Sequence, residues 1–456
     1  MNAMRRDRSS DDYSNMISGP TFGKMVMFSI PVILSGILQL LFNAADIIVV
    51  GNFAGDESLA AVGSTSALIN LFTNVFIGLS VGTNVLIAHF IGSGDHSKVE
   101  KTVHTSIVVS AVCGIFLTIF GIIFAYPVLK LMGNPDNVIG LATLYLKIYF
   151  LGMPALLIYN FGAAMLRAIG DTKRPLYFLT AAGVLNVILN MILVIVFSMG
   201  VAGVAIATII SEYLSAVLVL YYLSKNGGIL KLDIKKLGVD KYILGRIIAI
   251  GFPAGLQGTI FSLSNVVIQS AVNSFGSDIV AGNSASMNIE GFVYVAMNSI
   301  YQTAITFVGQ NYGAGKKKRV LKCTLQCEFI VFVVGLTSGL LANTFSAQLL
   351  HIYSSSPTVI AAGRIRSSYI LPVYLLCGCM DTMVGALRGI GQSIVPMVTS
   401  LIGACAFRLV WIATIFQFNR TTGMLYVSYP ISWSITLLAH ILFFIYFYRK
   451  IPEGTD

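Results

Sequence analysis

The sequence predicts an all-α integral membrane protein with twelve transmembrane helices in two pseudo-symmetric lobes of six. The 456-residue chain is 56% hydrophobic and only 11% charged, and its mean hydropathy is +0.82, whereas about a quarter of the residues in soluble domains are charged. Its apolar stretches reach the ~20 residues that a helix needs to cross a bilayer. They are too continuous for the alternating pattern of barrel strands. An internal repeat divides them into two equivalent sets.

Twelve candidate spans follow one another with only short loops between them. They cover residues 25–51, 59–90, 103–127, 138–166, 174–198, 201–224, 243–274, 279–308, 320–345, 358–387, 394–418 and 424–448. No polar stretch is long enough to form a soluble domain. The chain is therefore divided into a tail at 1–24, a first lobe at 25–224, a linker at 225–242, a second lobe at 243–448 and a tail at 449–456.

Lysine and arginine are distributed unevenly between the two sides of the predicted membrane. Most of the 29 basic residues fall in loops on the side that holds both tails, and cytoplasmic loops carry an excess of Lys and Arg. Both termini and the linker are therefore expected in the cytoplasm. The net charge of +10 reflects this topology and does not indicate a nucleic-acid partner. The six cysteines lie in or beside apolar stretches, which indicates packing thiols rather than disulfides.

The two halves of the chain share a repeated motif. The segment Leu166–Pro175 has the pattern LRxIGxxxxP, and the same pattern recurs at Leu387–Pro396. Pro31 and Pro253 match at nearly the same offset, each early in the first span of its half. Six spans per half bring both halves into the membrane from the same face, which predicts an axis along the membrane normal and a cavity between the lobes. Each proline is expected to kink its helix, as a transport hinge or as a static kink.

One carboxylate, Asp46, lies well inside the first span. An ionised Asp in hydrocarbon costs roughly 2.5–3.5 kcal/mol or more, and at ~1.5 Å per residue this one lies about 7 Å inside the end of the span. Asn186 and Asn190, one helical turn apart on span five, and Thr208 on span six are expected at a similar depth. Together these oxygens suit a small hard cation or a proton on the acid. Alternatively, the amides and the hydroxyl only join helices by hydrogen bonds.

The second half holds a different polar set. Glu290, Asp381 and Arg408 lie well within their spans, and Gln257 is placed to face a cavity. One arginine can neutralise one acid in a low-dielectric site and leave the other free to titrate. The set is interpreted either as a buried ion pair that holds the lobe together or as part of a substrate cavity. Asn160 occupies the position in the first repeat that corresponds to Asp381.

Several enzyme and cofactor classes are disfavoured by their missing motifs. The segment Gly309–Lys316 resembles a phosphate-binding loop, but it has Gln310 where glycine is needed and Lys317 where Ser or Thr would bind magnesium. The five histidines lack the spacing of a metal site. We therefore expect neither an enzyme nor a bound metal or cofactor. Any energy source would then be an ion gradient, unless none is used.

The residues resemble a known family. Asp46 with Gly51, and the segment Leu166–Pro175 with its repeat, are similar to the motifs of bacterial multidrug and toxic compound extrusion (MATE) transporters. This resemblance covers the chain from Gly19 to Arg449. It implies a cation-coupled antiporter for bulky, often cationic, amphipathic compounds. It also implies a first-lobe cation site at these positions: Asp46, Asn186, Asn190 and Thr208.

The chain departs from the family pattern at two positions. Asn190 stands where many relatives carry Asp, so the first-lobe site has one charge fewer. Phe261 stands where some branches carry the Glu of their second-lobe cation site, and Glu290 and Asp381 are candidates to replace that acid.

Taken together, these features predict a monomeric efflux antiporter of a bacterial inner membrane. It would exchange amphipathic or cationic small molecules for H⁺ or Na⁺ by alternating access, with membrane lipids as its other partners. Two alternatives are a flippase for a lipid-linked precursor and a non-transporting membrane scaffold. The intramembrane acids favour cationic cargo over the first alternative. The two homologous halves with buried acids argue against the second.

Overall fold

All regular structure in the described part of the chain is helical. The structure is a computed structural model and describes residues 16–454. Its α-helices are α1 Phe22–Phe53, α2 Asp56–Gly92, α3 His96–Leu131, α4 Asp136–Leu151, α5 Met153–Ala168, α6 Lys173–Asn190, α7 Gly200–Asn226, α8 Lys241–Asn273, α9 Ser277–Gly313, α10 Lys317–Thr344, α11 Ser346–His351, α12 Pro357–Ile370, α13 Leu375–Gly389, α14 Ile394–Ser400, α15 Phe407–Ala413, α16 Ile415–Phe418, α17 Thr422–Tyr426 and α18 Ser428–Arg449. Two π-helical segments, Met191–Val196 and Leu401–Ala406, extend α6 and α14, and short 3₁₀ turns lie at Gly228–Leu230, Ile234–Lys236 and Leu371–Val373.

The membrane-spanning helices confirm the predicted fold class. Within residues 16–454, nine helices are long and apolar enough to cross a bilayer, and the bent pairs α4–α5 and α12–α13 raise this number to eleven if each pair counts as one span. Helix α9, which is 37 residues long and overlaps the predicted span 279–308, is not among these eleven. Length and composition thus support eleven spans, one fewer than the twelve predicted.

The described chain forms two compact units. The first unit is Leu34–Gly255, and the second combines residues 16–33 with residues 256–454. The division falls inside α1 and α8, shortly after Pro31 and Pro253, and both helices continue through their prolines. The units therefore differ from the predicted lobes, 25–224 and 243–448, in two helix segments and in the linker. The lobes and the role of the two prolines as hinges remain predictions.

In the first unit, a bend between α4 and α5 is stabilised by a neighbouring helix. The two helices meet at an angle of 47° around Gly152. Pro154 has no amide hydrogen to donate to the carbonyl of Phe150 four residues earlier. The hydroxyl of Thr118 on α3 donates to that carbonyl at 2.6 Å, and a backbone N–H at the end of α4 donates to it as well. The proline therefore bends the span without leaving a buried acceptor unpaired.

The second unit is built around α9. This helix packs against α10, α12 and α13, and Met297 on α9 fills the space beside Gly335 and Gly378. The end of the predicted N-terminal tail belongs to this unit as well. The carbonyl oxygen of Met16 accepts hydrogen bonds from Asn311 and Arg319, each at 3.2 Å. Residues 1–15 of the predicted tail lie outside the described residues.

The linker is held against α3 of the first unit. Lys236 pairs with Glu100 at 2.8 Å, and the side chain of His104 bonds the backbone of Asp233 at 3.1 Å. The hydroxyl of Thr105 accepts the backbone N–H of Asp240. These bonds give the linker a defined path in place of a free solvated chain.

Candidate functional site

Three helices of the first unit bring the four residues of the predicted cation site into one hydrogen-bonded network. Asn190 on α6 donates both to the carboxylate of Asp46 on α1 and to Oδ1 of Asn186, the latter at 3.2 Å. Asn186 in turn donates to Oγ1 of Thr208 on α7 at 3.4 Å. The two amides share a face because they are one turn apart. The juxtaposition that the sequence predicts is present, and its role in cation binding remains a prediction.

This network contains more acceptors than donors. Asn190 is fully buried, and its Oδ1 accepts no hydrogen bond from any described residue. When it is ionised, the neighbouring Asp46 carboxylate can accept hydrogen bonds but cannot donate one. Buried polar atoms in folded proteins nearly always have a partner. A site with surplus oxygen acceptors therefore suits a proton or a small hard cation such as Na⁺.

Glu212 is a second acid near this network that the sequence interpretation missed. It lies on α7 one turn after Thr208, and it interacts electrostatically with Asp46. Its Oε2 is buried and has no partner among the described residues. A side-chain carbon at residue 152 would collide with this oxygen, so Gly152 at the α4–α5 bend leaves space for the carboxylate. The four-residue spacing from Thr208 was the signal that could have found it.

The polar cluster of the second unit has a different arginine at its centre from the one predicted. Arg366 on α12 pairs with both oxygens of Glu290, through Nε and Nη2, each at 2.7 Å. Its Nη1 donates to Asn283 at 2.9 Å, and Ser286 donates to Glu290 at 3.0 Å. Both members of the ion pair are buried. The predicted ion pair between Arg408 and one of the two acids is therefore wrong for Glu290, whose partner is Arg366. Arg366 lies inside the predicted span 358–387, and a charge in that position was the available signal.

The other predicted residues of this cluster do not form one constellation. Asp381 accepts a hydrogen bond from the hydroxyl of Tyr294 at 3.2 Å, and Gln257 accepts one from Arg388 at 2.8 Å. Asn160 belongs to the first unit and donates to the carbonyl of Leu156 in its own helix, at 2.8 Å. This hydrogen bond within its own helix gives Asn160 a structural role.

Arg408 on α15 makes one hydrogen bond to the residues that the structure describes, from Nε to the hydroxyl of Ser432 at 2.9 Å. Its guanidinium carbon lies 4.1 Å from the centroid of the Tyr429 ring and 5.5 Å from that of Trp433. The side chain is only 4% exposed. No ion pair among the described residues includes it, and its Nη2 has no hydrogen-bond partner there.

The sequence model of the MatE family matches residues 31–192 and 253–413, which together make up more than half of the chain. The chain belongs to the MatE family. The two matched ranges correspond to the two halves that the repeated LRxIG motif predicts. Each begins at one of the two matched prolines, Pro31 or Pro253.

Two relatives cover most of the MatE chain. The probable multidrug resistance protein YoeA of Bacillus subtilis is 26% identical over 434 residues, which are 93% of this chain and 94% of the relative. The multidrug export protein MepA of Staphylococcus aureus is 22% identical and covers 82% of each chain.

Solved structures share the fold of this MatE chain. A transporter of the MOP superfamily from Pyrococcus furiosus superposes with a TM-score of 0.92 at 21% identity, over 98% of this chain and all of the other. A multidrug resistance MATE family transporter in an outward-facing conformation gives 0.91 at 23% identity, with the same coverage. At these identities the likeness establishes the fold alone.

Metal-binding side chains do not gather elsewhere in the MatE chain. Across residues 16–454, no group of three or more His, Cys, Asp or Glu side chains is placed to hold a metal ion. All six cysteines are free thiols, and only Cys113 is not fully buried.

Proposed function

We propose that this MatE-family protein is a secondary active multidrug efflux antiporter. It exports amphipathic, often cationic, compounds in exchange for H⁺ or Na⁺. The observation that carries the proposal is the network of Asp46, Asn190, Asn186 and Thr208, in which a half-buried acid lies beside an amide oxygen that no described residue donates to. The names of the relatives, a probable multidrug resistance protein and a multidrug export protein, support the class of cargo.

Cation binding would drive alternating access by neutralising the negative charge of the Asp46 carboxylate. A ligand shifts a conformational equilibrium only by as much as its affinities for the two states differ. An ionised acid in the membrane costs about 2.5–3.5 kcal/mol, so neutralising it in one state contributes free energy of that order. Complete reversal of a two-state equilibrium needs about 5.5 kcal/mol. One acid supplies roughly half of this amount, and Glu212, one turn from Thr208, is positioned to supply the remainder.

The chain would work as a monomer in the bacterial inner membrane, with both termini in the cytoplasm. Pro31 and Pro253 are proposed hinges, because the two compact units divide shortly after them. A proline interrupts the helical hydrogen-bond ladder and lowers the cost of bending there. We expect no cofactor, because the gradient of the coupling ion would supply the free energy for export.

Transport by the Asp46→Asn variant tests the proposal. Asparagine keeps the shape of the side chain and removes its titratable charge. In proteoliposomes with an imposed pH or sodium gradient, wild type is expected to export a cationic dye, and Asp46→Asn to fall to the rate of empty vesicles. Asp136→Asn, which changes an exposed acid, is the matched control and should export normally. Unimpaired export by Asp46→Asn, at equal protein in the membrane, would contradict the proposed coupling.

Glu212→Gln separates the two acids. Removing the second charge should leave substrate binding intact while weakening the dependence of export on the ion gradient. The coupling ion is identified by measuring export by both variants under a sodium gradient and under a pH gradient. Only the gradient of the coupling ion should lose its effect on the export rate.

A further inference from the structure

Among the described residues of the second unit, more arginines than acids are buried, since Glu290 is buried whereas Glu328 and Asp381 are only half-buried. Three of its arginines, Arg366, Arg388 and Arg408, are each no more than 4% exposed. Among its acids, Glu290 is buried to a similar degree, and both of its oxygens are bound by Arg366. One guanidinium is therefore matched by a carboxylate, and the counter-charges of the other two must be sought elsewhere.

Asp381 does not supply that charge to Arg408. It accepts a hydrogen bond from Tyr294 and interacts electrostatically with Arg388. The strongest electrostatic interactions of Arg408 with other groups are those with Tyr429, Cys377, Cys405 and Arg366, and none of these is a carboxylate. Arg366 and Arg408 in fact lie against the same ring, with guanidinium carbons 5.3 Å and 4.1 Å from the Tyr429 centroid. A second cation beside it makes an unpaired Arg408 still less favourable.

The hydrogen bonds of Arg408 leave one edge of the guanidinium free. Nε donates to Ser432, and the Ser432 hydroxyl donates onward to the carbonyl of Tyr429 at 2.8 Å. Nη2 is buried without a partner among residues 16–454. A buried charge is costly unless it is both paired and hydrogen-bonded. Contact with aromatic rings offsets only part of that cost. The missing partner is therefore a negatively charged acceptor.

The surroundings of Arg408 are aromatic. The rings of Tyr429 and Trp433 lie 5.7 Å apart, and Tyr374 lies 5.4 Å from Trp433. Guanidinium groups bind carboxylates strongly and directionally, and aromatic side chains pack well against other rings. We propose that Arg408 is the binding site for a monovalent anion, namely the carboxylate group of an aromatic amphipathic compound. The view that this compound is transported cargo rests on the proposed function, whereas the binding site itself does not.

Fluorescence of Trp433 provides a direct binding assay. The chain has two tryptophans, so Trp411→Phe leaves Trp433 as the only reporter. The purified protein in detergent is titrated with para-nitrobenzoate, a quenching aromatic carboxylate, and with para-nitrobenzamide, its neutral analogue. A charged hydrogen bond at Arg408 predicts that the carboxylate binds at least about tenfold more tightly than the amide.

Variants of Arg408 show whether the preference depends on this side chain. Arg408→Gln should bind both probes with the weak affinity of the amide, and Arg408→Lys should keep a reduced preference for the carboxylate. Arg420→Gln removes an exposed arginine of the same unit and should behave as the parent. Equal binding of the two probes by the parent protein would overturn the proposal, as would a full carboxylate preference in Arg408→Gln. If Arg408→Gln is not monodisperse, the two probes on the parent protein decide the question alone.

Chloride is the other source of a monovalent anion. If chloride occupies the site, raising its concentration should weaken carboxylate binding to the parent by competition and leave Arg420→Gln equally sensitive. In Arg408→Gln it should have no such effect. This result would support the anion site and identify chloride as the resident ion. The proposed antiport is tested separately, by dye export with the Asp46→Asn variant. Failure of that test would leave the probe-binding result at Arg408 unchanged.

Discussion

Glu290 and Arg366 show how a buried charge depends on one partner. Their two short bonds involve both carboxylate oxygens, and Asn283 and Ser286 satisfy further polar atoms of the pair. Such a pair adds little stability over apolar residues of the same volume, but removing one member leaves the other buried and uncompensated.

The variant Glu290→Gln is therefore expected to lower the free energy of unfolding by about 3–5 kcal/mol. The double variant Glu290→Met/Arg366→Met should cost much less, because it removes both charges. Thermal unfolding in detergent shows which of the two variants, single or double, is the more stable. Asp278→Asn, which changes an exposed acid on the same helix, is the control and should be close to wild type. A double variant less stable than Glu290→Gln would show that the charges themselves stabilise the unit.

Among the helices, α2 and the first part of α8 approach closely through glycines. A side-chain carbon at Gly82 would lie 2.5 Å from the carbonyl oxygen of Ile247, and one at Gly251 would lie 2.5 Å from the Cα of Leu79. Small residues allow membrane helices to pack backbone to backbone. This packing accounts for the membership of residues 241–255 in the first unit.

Replacing Gly82 with leucine is expected to separate these two helices and to lower stability by about 1–3 kcal/mol. Gly63 lies on the same helix, is exposed and has no atom within 4 Å of the position of an added side chain. Gly63→Leu is thus the matched control for the change in helix propensity. Thermal unfolding of the two variants should differ clearly, and equal melting temperatures would count against tight packing at Gly82.

The start of α8 depends on the ionisation of Asp240. Its Oδ1 accepts the backbone N–H groups of Tyr242 and Ile243 at 3.0 and 3.1 Å. The bond from Ile243, with a smaller contribution from Lys101, holds the pKa of Asp240 below its usual value. A lowered pKa in the folded state means that the ionised cap stabilises the fold above the usual Asp pKa, and that this contribution is lost as the pH falls through the folded-state pKa.

Asp240→Asn should therefore be less stable than wild type at neutral pH, and the difference should vanish under acid conditions. Melting temperatures in detergent, measured for both proteins from neutral pH to below the usual Asp pKa of about 4, provide the check. A difference that grows on acidification would contradict the assigned role of the carboxylate.

For the whole molecule, the uneven distribution of basic residues predicts which side each loop faces. Single cysteines in place of Lys231 in the linker and of Glu453 near the C-terminus should react with an impermeant maleimide only from the cytoplasmic side. A cysteine in place of Asp136 should react only from the opposite side. All three positions are exposed, whereas five of the six native cysteines are buried. Labelling of residues 231 and 136 from the same side would overturn the predicted topology.

The sequence by itself determined the features that follow from chemistry along one helix. Long apolar stretches made the membrane class evident, the repeated LRxIG motif revealed the two matched halves, and the four-residue spacing of Asn186 and Asn190 placed both amides on one face. These inferences succeed because helix geometry relates residues that are close in sequence.

Only the tertiary structure decided which distant groups meet. The partner of Glu290 is 76 residues away, on α12, and its identity left Arg408 without an acid. The structure also brought Glu212 within electrostatic range of Asp46 and divided the compact units inside α1 and α8. Such pairings depend on how helices are rotated and packed against one another, and the pattern of residues along one helix does not predict that rotation.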